Sequence, residues 1–156
     1  MQKFTDASGQ VWQINITTRD IMRVRQETGF DLGHLFDDGL QILATLADDV
    51  VKLVDVIWSA IGSNVPTDRV RFDKSMTGDA IEAGMNCLIE AVIDFFPNPK
   101  RREACRAALR KMWEALEIRT NIGLEKINSF DPTSLLSATD SAASSASTPQ
   151  DSRSGN

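Results

Sequence analysis

Apolar and polar side chains alternate near the start of the chain. Between residues 3 and 16, Trp12, Ile14 and Ile16 fall on one side of an extended backbone, with polar residues between them. A period of two is typical of a strand that is buried on one face only. Because a turn-like stretch, residues 6–9, lies inside this segment, the pattern predicts a short β-hairpin.

Beyond the hairpin, apolar residues recur every three to four positions, which is the helical period. Thr17 and Thr18 offer N-cap hydroxyls, and Gly29 is well placed to end the first helix in a left-handed conformation. Three glycines within residues 29–39 indicate an irregular connection, pinned to the core by apolar anchors. Thr67 is the predicted cap of a later short helix. Further helices are predicted over residues 40–47, 48–61, 67–76, 77–96 and 99–128.

The helix predicted over residues 77–96 is the most apolar one. Its polar side chains recur every four residues and therefore form a single stripe. The members of this stripe are Glu82, Asn86, Glu90 and Asp94. The helix over residues 48–61 has a similarly narrow stripe at Lys52, Asp55 and Ser59. We predict that both helices are mostly buried and that only these stripes face water.

The last helix, residues 99–128, follows a short connection between two prolines, which predicts antiparallel packing against the preceding helix. Beyond residue 136, no apolar side chain is larger than alanine, so burial cannot offset the entropy of ordering. The sequence predicts a mainly α protein, with a short N-terminal β-hairpin, a compact bundle of about five helices and a disordered C-terminal tail. The globular domain is placed at residues 1–132, and the Ser/Ala/Thr-rich tail at residues 133–156.

Charge and composition argue against several classes of function. The 17 basic and 22 acidic residues give a net charge of -5, which disfavours broad binding to nucleic acid or to anionic membranes. No segment approaches the ~20 apolar residues of a membrane span, and the N-terminus has no secretory leader. We therefore expect a cytoplasmic protein without membrane contact. Cys87 and Cys105 are then expected to be buried free thiols, with a disulfide between them as the alternative.

Side chains that could carry chemistry are few. His34 is the single histidine, and the chain contains no nucleophile motif and no phosphate-binding glycine loop. The spacing of Asp31, His34, Asp37 and Asp38 would allow them to meet around a metal, but such residues also cap turns and helix starts. We favour capping, and we expect no catalytic residue, no cofactor and no metal. The chain is therefore interpreted as a binding protein and not as an enzyme.

The first half of the last helix is strongly basic. Cations at a helix N-terminus oppose the helix dipole, which leaves two interpretations: they face an acidic partner or nucleic acid, or they form a solvated surface balanced by Glu114 and Glu117. The cations are Lys100, Arg101, Arg102, Arg106, Arg110 and Lys111. The tryptophans fall on apolar faces and are interpreted as core residues rather than as a platform for stacking bases. They are Trp12, Trp58 and Trp113.

Three segments resemble the tail assembly chaperones of long-tailed bacteriophages and prophages. They are FTDASGQVWQINITTRDIMRVRQETGFDLGHL, DDVVKLVDVIW and AIEAGMNCLIEAVIDFFP, and the likeness covers about residues 3–128. The resemblance implies a non-enzymatic factor that binds and solubilises the helical tape measure protein in the infected bacterial host cell and helps to recruit the tail tube protein. Relatives of this type are often also made in a longer, frameshifted form, to which the tail would be a linker.

The apolar pattern and the resemblance both predict a groove that holds a client helix. The helices over residues 48–61 and 77–96 have apolar faces wider than a small domain can cover, and the basic helix start flanks them. The candidate partner-binding residues are Val51, Val54, Ile57, Met85, Ile89, Ile93, Phe96, Arg101, Arg102 and Arg106. For each apolar member of this set, a position in the core is at least as strong an alternative.

Two other binding functions stay open at this point. One is a virion component, such as a head-tail completion protein. The other is a small nucleic-acid-associated regulator that uses the basic helix start. The sequence also leaves open which partner is bound and whether the chain forms a homo-oligomer.

Overall fold

The structure, a computed structural model, describes residues 1–62 and 68–129. It divides into two compact units, Met1–Met112 and the part that begins at Trp113. The first unit contains the hairpin and the main hydrophobic core. The predicted disordered tail, residues 133–156, and the predicted domain end at residue 132 lie outside the described residues, as does the predicted cap Thr67.

The N-terminal hairpin forms as predicted. Strand β1 (Gln2–Thr5) pairs antiparallel with strand β2 (Val11–Ile14), and Phe4 lies opposite Trp12. Phe4, Trp12 and Ile14 are all buried, because one face of the hairpin covers the helices. The period of two in the sequence therefore identified the buried face correctly.

Helix α1 (Thr18–Thr28) has the predicted caps at both ends. The Thr17 side chain accepts a hydrogen bond from the Asp20 amide, and the Asp20 carboxylate accepts one from the Thr17 amide. Together they satisfy two amides that the helix leaves unpaired. Gly29 follows with φ of 71°, a left-handed conformation that glycine adopts without strain.

The glycine-rich connection after α1 is irregular, as predicted, and contains two 3-10 turns, Leu32–His34 and Asp38–Leu40. The Asp31 carboxylate accepts a hydrogen bond from the Gly33 amide, which is the capping role expected for it. Leu32 and Leu35 are completely buried and anchor this connection to the core.

Five further α-helices follow within the described residues. They are α2 (Gln41–Asp48), α3 (Val50–Ile61), α4 (Arg69–Ser75), α5 (Gly78–Phe95) and α6 (Pro99–Asn128). Asp49 caps α3, and Asp68 caps α4 by accepting from the Arg71 amide. None of the helices in the described part of the chain has the length and apolar character that crossing a membrane would require.

Helix α5 is mostly buried, as predicted, and lies at the centre of the core. It packs against β1 and α3, while α1 covers the other side of α3. Its polar stripe is confirmed, since Glu82, Asn86 and Asp94 are exposed and Glu90 is partly exposed. Elsewhere on the helix, Leu88 and Val92 are almost completely buried.

The predicted stripe of α3 is wrong at one position. Ser59 is buried and lies against α1, where its Oγ atom donates a hydrogen bond to Glu27 Oε2 at 2.6 Å. The Ser59 carbonyl also accepts a hydrogen bond from Arg23 Nε at 2.9 Å. Ser59 therefore helps to join two helices, while Val50 and Val51 at the start of α3 are exposed instead.

The described part of the second unit is the rest of α6 and the residue after it. Large apolar side chains on this part are exposed to solvent: Ile118, Ile122, Leu124 and Ile127. Trp113 is also exposed, with 38% of its surface accessible. The interpretation of all three tryptophans as core residues is therefore wrong for Trp113. Trp12 is buried and Trp58 is partly buried.

Candidate functional site

An apolar groove lies on the first unit, between the first half of α6 and the irregular connection that follows α1. Its volume is about 550 Å³, and it is open to solvent. Six of the eight side chains that line it are apolar, and the other two are cations. The lining consists of Phe36, Leu40, Ala104, Cys105, Ala108 and Met112, with Arg101 and Lys111.

Helix α6 forms the floor of the groove. Ala104, Ala108 and Met112 are four residues apart and therefore lie on one side of a helix. The two alanines leave empty the space that larger side chains would fill, so this side of the helix is a notch rather than a ridge. Cys105 and Leu109 are buried next to the notch and attach this part of α6 to the core.

The connection after α1 forms the opposite wall. The Phe36 ring packs edge-to-face against Phe96 at the end of α5, with ring centroids 6.1 Å apart. Leu40 has φ of 71°, and Asp38 has φ of 54°, which are left-handed conformations that disfavour side chains with a Cβ atom. Backbone strain of this kind is often found at binding sites. The wall is therefore held in place by packing and carries strained backbone beside the groove.

Two cations stand at the margin of the groove. The Arg101 guanidinium lies 4.1 Å from the centroid of the Phe96 ring and 3.8 Å from the nearest Asp37 oxygen. Lys111 forms no ion pair within the described residues. The groove therefore combines an apolar floor with positive charge at its edge.

The only histidine also belongs to this wall. His34 Nδ1 lies 2.6 Å from Asp37 Oδ2. This hydrogen bond, together with the charges of Asp31 and Asp37, raises the pKa of His34 above its ordinary value. Asp37 thus lies between a titratable imidazole and the Arg101 guanidinium.

The structure places five of the seven predicted apolar groove residues in the core instead. Ile57, Ile89 and Ile93 are at most 3% exposed, and Met85 and Phe96 are also buried. The apolar faces of α3 and α5 are turned toward each other and are covered by α1 and the hairpin. These five side chains therefore cannot contact a client in the folded protein. They occupy the core, which was the alternative interpretation of their positions. Val54 is partly buried, and Val51 is 74% exposed.

The cations in the first half of α6 have different partners in the folded protein. Arg106 donates hydrogen bonds to Glu90 at 2.8 Å and to Asp94 at 3.0 Å, and these contacts place the start of α6 beside the end of α5, as expected for an antiparallel pair. Arg102 donates to the Phe96 carbonyl. Arg106 is therefore balanced by the polar stripe of α5 and not by the later glutamates of its own helix. Among the predicted basic site residues, only Arg101 lines the groove.

Sequence reasoning missed the groove itself. It expected the apolar residues of the glycine-rich connection to anchor that connection to the core and the last helix to pack against the preceding helix, because small and apolar residues at helical spacing usually belong to a core. The signal that was present is the pair of alanines, Ala104 and Ala108, on one side of a helix start that is otherwise highly charged. Such a pair leaves a shallow surface, but only the position of the neighbouring loop shows whether that surface is covered.

The lining offers a contact surface and two charges. Burial raises the pKa of the Cys105 thiol, and the charges of Arg101 and Arg106 oppose that effect. Cys87 and Cys105 are both buried free thiols, as expected.

Within residues 1–62 and 68–129, no group of three or more histidine, cysteine or acidic side chains is arranged to hold a metal ion. Comparisons with protein-family models, with curated proteins and with solved structures found no match.

Proposed function

We propose that this protein is a non-enzymatic tail assembly chaperone that holds a helical client in the groove on α6. The client is the tape measure protein of a long-tailed phage, and binding takes place in the cytoplasm of the infected host. The observation that carries this proposal is the open apolar groove of about 550 Å³. The resemblance in the pattern of apolar positions supports the choice of client.

The dimensions of the groove suit a helix. Its floor runs along α6 from Arg101 to Met112, which corresponds to about 16 Å at about 1.5 Å per residue. A client helix of about three turns has the same length. Such a helix would present apolar side chains at positions i, i+4 and i+7 to the floor, which is the usual mode of recognition in a helix-binding groove. The notch at Ala104 and Ala108 would take the largest of these side chains.

Co-expression with the tape measure protein tests the proposal. We expect the tape measure protein to become soluble and to co-purify with this chain. Ala104→Trp fills the notch at an exposed position of α6 and should abolish co-purification without unfolding the protein. Glu103→Trp adds the same side chain at the neighbouring exposed position, outside the groove, and should retain binding.

Two outcomes would overturn the proposal. If the tape measure protein stays insoluble in the presence of the folded wild-type chain, the client is wrong. If this chain persists in purified phage particles at a stoichiometric level, the protein is a virion component, since a chaperone leaves when assembly ends. Capture that is equal for Ala104→Trp and Glu103→Trp would show that the groove is not the binding site.

A further inference from the structure

The two cations at the groove lie near its opposite ends. Arg101 and Lys111 are ten residues apart on α6, which corresponds to about 15 Å along the helix axis. All the other side chains that line the groove are apolar. A ligand that fills the groove therefore meets a hydrophobic floor along its length and one positive charge near each end.

Both charges are incompletely neutralised by the protein. Half of the Arg101 side chain is exposed, and the nearest Asp37 oxygen is 3.8 Å away, compared with 2.8 Å between Arg106 and Glu90. Lys111 is exposed and has no ion-pair partner in the part of the chain that the structure describes. The positive charge of this margin is therefore opposite in sign to the net charge of the chain, which is -5.

The position of Arg101 is also unfavourable for the helix that carries it. Arg101 lies in the first turn of α6, where a cation interacts unfavourably with the helix dipole. Its contact with the Phe96 ring offsets part of this cost. A carboxylate from a ligand would compensate both the exposed guanidinium and its placement at the helix start.

We propose that the groove selects an amphipathic helix with carboxylates on the margin of its apolar face, spaced to meet Arg101 and Lys111. This inference rests on the proposed function, because it defines which client helices the same groove accepts. The two acidic positions on the client are about ten residues apart, as the cations are on α6. Apolar contact with the floor supplies affinity, and the two ion pairs set the position of the client along the groove.

A nucleic acid fits this site less well than an acidic helix does. Binding to a phosphate backbone depends on many cations along a charged track, and an apolar floor contributes nothing to it. Arg106, which would extend such a track, is already paired with Glu90 and Asp94. The charge pattern of the groove therefore matches discrete carboxylates on an apolar helix.

Two synthetic helical peptides test the inference on the wild-type protein. They share one apolar face and differ only at two margin positions ten residues apart, which are glutamate in one peptide and lysine in the other. We expect the acidic peptide to bind about tenfold more tightly in about 0.1 M salt, measured by calorimetry. The difference should shrink in about 1 M salt, where the Debye length falls to about 3 Å.

Charge exchange on the protein provides the matched control. The double variant Arg101→Glu/Lys111→Glu should prefer the lysine peptide, and a thermal melt establishes that it is folded. Arg110→Glu changes an exposed cation of the same helix that does not line the groove, and it should keep the wild-type preference. Exchange of preference by the double variant alone would assign the selectivity to the two margin cations.

The outcomes separate this inference from the proposed function. Equal binding of the two peptides would overturn the charge selection and leave helix binding in place. Failure of both peptides to bind would overturn helix binding in this groove. Retention of DNA at physiological salt, lost in the double variant but kept in Arg110→Glu, would assign the cations to nucleic acid and overturn the inference.

Discussion

Asp6 is a buried carboxylate in the hairpin turn that joins distant parts of the first unit. Its two oxygens accept hydrogen bonds from the Ser8 amide and hydroxyl, the Gln10 amide, the Trp12 indole at 2.8 Å and the Ser75 hydroxyl at 2.7 Å. Ser75 is the last residue of α4, so one side chain connects the turn, the buried strand and a helix end. Burial of a charge without such partners would be costly.

Replacement of Asp6 by alanine should destabilise the protein strongly. The change leaves the Trp12 and Ser75 donors buried without an acceptor, and we expect a loss of about 3 kcal/mol in the free energy of unfolding. Chemical denaturation of the variant measures this loss. Asp31→Ala removes the acceptor of one amide, that of Gly33, and a looser ion pair with Arg25 at a more exposed turn. It serves as the comparison and should cost about 1 kcal/mol. Equal losses would contradict the role of Asp6 as a shared acceptor.

Asp6 should also make stability depend on pH. Burial alone would raise the pKa of Asp6, but the hydrogen bonds from Ser75, Ser8, Trp12 and Gln10 hold the pKa well below its ordinary value of 3.8. Because the folded state favours the ionised form, this contribution to stability is complete above the unfolded pKa and is lost as pH falls below it. We expect the free energy of unfolding to fall in acid for the wild type and to fall less steeply for Asp6→Asn. Identical acid profiles would refute this.

His34 offers a direct test of the geometry beside the groove. The hydrogen bond that His34 Nδ1 donates to Asp37, together with the charges of Asp31 and Asp37, raises the pKa of His34. The contribution of His34 to stability is therefore complete below the unfolded pKa and is lost as pH rises through the folded pKa. Since the chain has one histidine, its ring signal in an NMR titration needs no assignment. We expect a pKa above 6.5 in the wild type and a lower one in Asp37→Asn. A pKa that Asp37→Asn leaves unchanged would contradict this contact.

Among the helices, the close approach of α3 and α5 depends on Gly84. A Cβ atom at position 84 would lie 3.1 Å from Ile57 Cδ1 and 3.3 Å from Met76 Cε. Gly84→Leu therefore overfills the core, and we expect it to lower the free energy of unfolding by about 3 kcal/mol despite its better helix propensity. Gly78→Leu in the first turn of the same helix meets nothing within 4 Å and should be neutral or stabilising. Comparable stabilities of the two variants in urea would contradict close packing at Gly84.

The helices were predictable where their ends and faces are encoded locally. The capping residues Thr17 and Asp20 and the terminal Gly29 fix α1 without help from distant residues. The polar stripe of α5 is equally local, because one amphipathic pattern defines both its buried and its exposed side. Ser59 was not predictable in this way, since its exposure depends on Glu27 of a different helix. A polar residue on an apolar helix can face water or a buried partner, and the spacing is the same in both cases.

The groove, like the burial of Ser59, depends on distant residues and could not be predicted from local sequence. Ala104 and Ala108 could have been covered by a neighbouring element, and the apolar faces of α3 and α5 could have been left open. The faces of α3 and α5 are covered by α1 and the hairpin, whereas the alanine notch is left open by the path of the connection that carries Phe36 and Leu40. That path includes left-handed residues which are not glycines, and sequence patterns give no signal for them.

On the scale of the whole molecule, the first unit is tightly packed around α5, whereas α6 is attached to it by few buried side chains. The middle of α5 is buried from Met85 to Ile93 except along its polar stripe. By contrast, the part of α6 within the first unit has only Cys105 and Leu109 among its buried apolar residues. Segments with few buried contacts open at a lower free energy than the whole fold does. The helix that forms the floor of the groove should therefore open locally while α5 stays closed.

The two cysteines report on this difference. Cys87 lies on α5, where burial raises its pKa to about 11, and Cys105 lies in the groove floor, where burial also raises the pKa. Because alkylation requires an accessible thiolate, each site reacts only after its surroundings open. We expect Cys105 to be alkylated at least about tenfold faster than Cys87, and its rate to change little in low urea, as local opening exposes little surface. Cys87 should react only through global unfolding, so its rate should rise steeply with urea.

Mass spectrometry of the two cysteine-containing peptides measures both rates in one sample, so the intact protein serves as its own control. Equal rates with the same dependence on urea would show that α6 opens only together with α5. In that case the groove floor would be part of one cooperative unit with the core, and a client would have to bind a rigid surface. Fast, urea-insensitive labelling of Cys105 would instead mean that α6 can shift against the strained loop, so that one groove can adapt to client helices of different width.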